Sequence, residues 1–168
     1  MDSPMMRKRE GFGLVEIVIA IGIITSALFA SAVLVKMASQ AIRQTTQSEQ
    51  ATFLAQEGIE VVRLLRDISW SSNIAPLAAG STYYPVFNSG TQTWSLDTTN
   101  PGPIAGSFTR TVSVEDVYRK NADDDIVDAS SPEPKTIDPG TKKIIVETSW
   151  GSSPVHTKEF ITYVADIF

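Results

Sequence analysis

Glu16 is the residue whose chemistry most needs an explanation. It lies near the start of an apolar run, Phe12 to Val35, and is the single charge within it. An acid at the centre of a membrane-crossing helix costs about 2.5–3.5 kcal/mol on the insertion scale, so an intramembrane carboxylate calls for a cation as partner. A carboxylate that meets a cation in low dielectric is tolerated there. A second group, Asp123, Asp124, Asp125 and Asp128, forms the only charge cluster of note in the C-terminal part. Asn121, Asp123 and Asp125 match the first, third and fifth positions of an EF-hand loop. Ile126 then stands where that loop needs glycine, and Pro132 where it needs glutamate, so a solvated loop is expected.

The remaining candidates carry less. His156 is the only histidine and sits among Ser, Pro and Thr, so surface decoration is expected. Serine-rich stretches have neither an adjacent base nor a nucleophile elbow. The glycines are too scattered to cradle a phosphate. Trp70, Trp94 and Trp150 could stack on sugars or bases, but core packing is the expected role. These readings imply a chain that is not an enzyme and needs no cofactor and no metal. Cysteine is absent, which removes disulfides, thiol catalysis and Cys-based zinc sites. Net charge is -5, with no basic patch in the C-terminal part, so no nucleic-acid partner is evident.

The elements that must position Glu16 start with the apolar run. An α-helix from Phe12 to Val35 spans the roughly 30 Å hydrocarbon core. Lipid leaves backbone groups no other partner, so the segment must be helical there. Arg7, Lys8 and Arg9 precede it and favour a cytoplasmic N-terminus and an exported C-terminus. Lys36 and Arg43, just past the other end, soften that bias. An ordinary single-pass anchor satisfies these facts. A cleaved secretory signal is another reading, since Ala30-Ser31-Ala32 offers a cut before Val33. The run is longer than a usual signal core, and a carboxylate within it is out of place.

The stretch Arg7-Lys8-Arg9-Glu10-Gly11-Phe12-Gly13-Leu14-Val15-Glu16 closely resembles the processing motif of type IV prepilins and type II secretion pseudopilins. The resemblance implies that a prepilin peptidase cuts between Gly11 and Phe12 and methylates the new N-terminus at Phe12. It places Glu16 at the family's assembly glutamate, which is thought to pair with the N-terminal amine of a neighbouring subunit. It further implies partners among other pilin or pseudopilin subunits and an inner-membrane assembly platform. The precursor would sit in the bacterial cytoplasmic membrane, and the mature subunit in a pilus or pseudopilus.

No proline occurs from Met5 to Ala75, so the helix is expected to continue to about Ile68. Residues 37–67 are rich in Ala, Gln, Glu, Leu and Arg. Leu54, Gly58, Val61, Leu65 and Ile68 follow a helical spacing and are expected to face a sheet, with Gly58 allowing close approach. Ala51 to Arg63, with Arg66-Asp67 and Trp70, also resembles the minor pilins described as type IV pilus modification proteins. Where that family often has a mid-membrane proline, this chain has Val33.

Beyond Trp70 the pattern changes to period two. Tyr83 to Phe87 and Thr93 to Leu96 are short strand candidates, with Pro85 pointing to an edge. Phe108 to Tyr118 puts Phe108, Val112 and Val114 on one face. Lys143 to Trp150 alternates Ile144, Val146, Thr148 and Trp150 with Ile145, Glu147 and Ser149. Thr157 to Val164 follows a turn at Gly151 to Pro154. Residues 119–140 read as a polar acidic loop with three prolines. The expected class is α+β and pilin-like: a long N-terminal helix, half membrane-spanning and half amphipathic, packed on an antiparallel sheet. The organisation is a leader at 1–11, a membrane or filament-core helix at 12–35, its amphipathic continuation at 36–70, and an exported β-rich domain at 71–168. The expected function is a minor pilin or pseudopilin. The alternative is an exported binding or adhesin-like domain on a membrane helix that never assembles.

Overall fold

A computed structural model describes residues 13–167. Helix α1 runs from Leu14 to Ile68, and a short helix α2 covers Trp70–Asn73. Six strands follow: β1 Thr82–Asn88, β2 Thr93–Asp97, β3 Phe108–Lys120, β4 Ile126–Val127, β5 Lys135–Trp150 and β6 His156–Ala165. The chain divides into two compact units at Thr45/Thr46. In the first, the described residues are almost all helix. The second holds the rest of α1 and the sheet.

Helix α1 ends where its carbonyls find other donors. Asn73 Nδ2 donates to Leu65 O at 2.9 Å, which satisfies one of the last-turn carbonyls. Ser69 then caps α2, its side chain accepting from the Ser72 N–H. Pro76 follows within a few residues.

The sheet is antiparallel throughout, in the order β2-β1-β3-β5-β6, with β4 on β3. β3 and β5 are its spine, paired from Phe108↔Trp150 to Lys120↔Lys135. The register shifts at Asp116/Val117, which leaves residues 139–141 of β5 without partners on β3. Pro139 has no N–H to donate and so falls where none is needed. β1 pairs with β3 only through Thr82 and Tyr83. Pro85 therefore has a ladder on one side, to β2, although β1 lies inside the strand order.

The α+β layout matches the sequence: α1 lies on the sheet and the core sits between them. Phe108, Val112 and Val114 of β3 and Ile144, Val146, Thr148 and Trp150 of β5 are buried on one face, as their alternation predicts. The helix face differs in part. Gly58, Val61 and Leu65 are buried as expected, but Ile68 is 65% exposed and Leu54 only half-buried. Ala51, Ala55 and Val62 replace them, so the buried stripe runs Ala51, Ala55, Gly58, Val62, Leu65. That stripe has the same helical spacing, and its small side chains bring the helix axis close to the sheet. A Cβ on Gly58 would lie 2.7 Å from Val146 Cγ1 and 3.1 Å from Arg110 Cδ. The backbone approach expected at Gly58 is therefore real.

Residues 119–140 are not a plain loop. β3 continues to Lys120, β5 begins at Lys135, and β4 pairs with Tyr118 and Arg119. The charges that read as solvated are paired across the ribbon. Arg119 Nε donates to Asp138 Oδ2 at 2.6 Å, and Lys120 meets Glu133 at 3.0 Å. Lys135 Nζ donates to Ala129 O at 2.6 Å and also to Ser131 O. The Asn121 N–H reaches Pro134 O at 3.0 Å.

Asp138 gives this ribbon a pH dependence. The hydrogen bond from Arg119, with others from the Thr141 hydroxyl and the Gly140 N–H, holds its carboxyl below the ordinary carboxylate range. A depressed carboxyl contributes stability above its unfolded pKa of about 3.9, and that contribution is lost as pH falls through the folded value. Asp138→Asn is therefore expected to flatten the acid side of the stability profile below about pH 4. Thermal melts of both chains from pH 6 to pH 2 check this. Parallel curves would remove Asp138 from the account.

Candidate functional site

The site is the exposed surface of α1 in the first unit. The helix starts at Gly13, whose carbonyl accepts from the Glu16 N–H at 2.9 Å and the Ile17 N–H at 3.3 Å. Glu16 therefore lies in the first turn, where the free N–H groups of the helix end favour an anion. Around it every residue from Gly13 to Ala38 is exposed, with Leu14 at 79% and Phe29 at 74%.

The few polar side chains above Glu16 are folded back on the helix. Thr25 Oγ1 donates to Ile21 O, Ser26 Oγ to Ile23 O and Ser31 Oγ to Ala27 O, each at 2.8 Å. A hydroxyl satisfied on its own helix can enter an apolar medium without an unmet bond. From Gly13 to Val35 the helix is thus an apolar cylinder with one carboxylate near its beginning. It is long and apolar enough to cross a membrane. An apolar surface of this extent needs lipid or other helices around it. A carboxylate within that cover is tolerated beside a cation, or at the helix end where headgroup water reaches it.

Comparison with family models, with curated proteins and with solved structures found no match to this chain. The geometry therefore stands on its own. An apolar N-terminal helix and an antiparallel sheet are compatible with a pilin-like layout.

Of the residues singled out in the sequence, Gly11 and Phe12 lie outside the described residues. Glu16 is placed as above. The acidic group of residues 123–128 does not converge: among the described residues no three His, Cys, Asp or Glu side chains are placed to hold a metal ion. Its members serve turns instead. Asp123 Oδ1 accepts from the Asp125 N–H at 3.2 Å, and Asp128 Oδ1 from the Ser130 N–H at 2.8 Å. The Ser130 hydroxyl and N–H together hold the Asp128 carboxyl below its ordinary range.

His156 is exposed and stacks on Trp150, ring centroids 5.5 Å apart. Trp150 is buried against Phe108, while Trp70 and Trp94 are half-buried against the core. The tryptophans thus take the packing role expected of them.

One residue escaped the sequence reading. Arg110 shares the parity of Phe108, Val112 and Val114, and it is buried with them at 5% exposure. Its Nη1 donates to Leu54 O at 3.0 Å and to Glu57 Oε2, both on α1. Its guanidinium also lies over the Trp94 ring, 5.6 Å from the centroid. The available signal was the strict alternation of β3, which leaves position 110 facing inward whatever its charge.

Proposed function

We propose that this chain is a pilin-type subunit, a minor pilin or pseudopilin, of a type IV pilus or type II secretion-like filament. The observation that carries the reading is the lone Glu16 carboxylate in the first turn of the exposed apolar half of α1, a few residues after the Arg7 to Phe12 stretch. A peptidase cut between Gly11 and Phe12 would create a new amine four residues before Glu16. That amine, N-methylated on Phe12, supplies a cation for the carboxylate, from a neighbouring copy or a related subunit. Moving the helix from lipid into a bundle of like helices leaves apolar burial nearly unchanged. The charge pair and side-chain packing then set the register between neighbours. The exported sheet unit would coat the filament surface.

A Gly11→Leu substitution tests the processing step on which assembly depends. The variant is expected to remain in the membrane fraction at precursor mass. It should be absent from filaments sheared from the cells. Appearance in filaments with residues 1–11 attached would remove the proposed role of the new amine. An exported binding domain on an uncleaved anchor predicts that outcome's counterpart: unchanged mass and location in both chains.

A further inference from the structure

The buried Arg110 has no part in the filament reading and stands independently of it. On β3 it lies between Phe108 and Val112, and directly opposite it on β5 is Thr148, between Val146 and Trp150. This polar pair divides the core. On one side Ala51 packs with Phe108 and Trp150. On the other, Ala55, Val61, Val62 and Leu65 pack with Val112, Val114, Ile144 and Val146. Among the described residues the only carboxylate on Arg110 is Glu57, and the residue after it, Gly58, is where a Cβ would strike Val146.

The polar layer is not built for maximal stability. Arg110 Nε and Thr148 Oγ1 are buried with no hydrogen-bond partner. Incompletely satisfied buried groups cost free energy, and buried ion pairs are often replaceable by apolar residues without loss. What such pairs supply in the best-attested cases is a unique register. The helix face here needs one, because Ala51, Ala55 and Gly58 are small and similar, and a one-turn slide of about 5.4 Å would keep an apolar stripe on the sheet.

We propose that Glu57-Gly58 and Arg110 form a register key that admits α1 to a single seat on the sheet. Sliding α1 so that Glu60 faces Arg110 sets Val61 over Val146, where Gly58 already leaves no room for a Cβ. Sliding it the other way brings Phe53 or Leu54 to Arg110 and leaves a buried guanidinium without a counter-charge. Only the observed seat supplies both the carboxylate and the glycine.

The test uses the full-length chain in detergent micelles with its alanine methyls isotopically labelled. In the parent chain the Ala51 methyl should give one signal, with a nuclear Overhauser effect to the Trp150 ring. Arg110→Met removes the buried charge, and the half-exposed Glu57 can turn to water. A second variant, Arg110→Met with Val146→Ala, removes the buried charge and also the methyl groups that only a glycine clears. Arg110→Met alone leaves the Gly58 contact with Val146 in place and is expected to keep one set of signals, whereas the second variant is expected to keep the protected amides of Val112 and Ile144 while the Ala51 and Ala55 methyls split or broaden, with Ala55 also reaching the Trp150 ring. A single native set of signals in both variants would overturn the proposal. So would loss of the folded sheet in both, because the pair would then be needed for stability and not for register.

Discussion

Glu16→Ala is expected to leave the protein in the membrane and to remove it from sheared filaments. Alanine is a better helix former than glutamate and costs nothing in an apolar medium, so helix and insertion should be kept or improved. On the proposed function, what is lost is the counter-charge for a neighbouring amine. Truncating one partner of a desolvated charge pair typically costs about 2–5 kcal/mol, so incorporation should fall at least tenfold. Immunoblots of membrane and filament fractions from the same cells read this directly. Glu16→Asp should recover part of the loss, since it restores the charge at a shorter reach. Normal incorporation of the alanine variant would show that the carboxylate plays no part in assembly.

The second large effect belongs to the core of the second unit. Glu57→Ala strands Arg110, which is 5% exposed and has no other carboxylate in contact among the described residues. Removing one partner of a fully buried pair costs about 3–5 kcal/mol. The Glu57 side chain is 48% exposed, so solvent already screens the pair and the lower end, about 3 kcal/mol, is the better expectation. Denaturant melts followed by tryptophan fluorescence suit the measurement, because Trp94 lies against Arg110. Adding Arg110→Met to the Glu57→Ala chain should return most of the loss. Two changes whose costs simply add would mean the residues are not energetically coupled.

The fold was legible wherever one physical signal dominated. The apolar run with its single acid, the proline-free helix beyond it, and the alternation of β3 and β5 each have a periodicity that no competing pattern disturbs. The helix stripe was legible in spacing and offset in place. Leucine and isoleucine draw the eye to Leu54 and Ile68, yet alanines at 51 and 55 make the contact, because a helix pressed close to a sheet has room only for small side chains. Arg110 was hidden by its charge, since its burial depends on Glu57, a residue far away in sequence and on another element. The ribbon at 119–140 was hidden for the same reason. Its Arg119–Asp138 and Lys120–Glu133 pairs look like solvated charges until the strands bring them together. At the candidate site, the place of Glu16 in an exposed apolar helix was legible, because the apolar run is continuous around it.

Intact mass and N-terminal sequencing of the protein purified from its native cells test the central claim most directly. The account predicts a chain that has lost residues 1–11 and begins at Phe12, with the mass of one added methyl group. A chain beginning at Met1 would contradict it and leave an uncleaved anchor. A chain beginning at Val33 would contradict it too, by removing Glu16 and most of the apolar helix altogether.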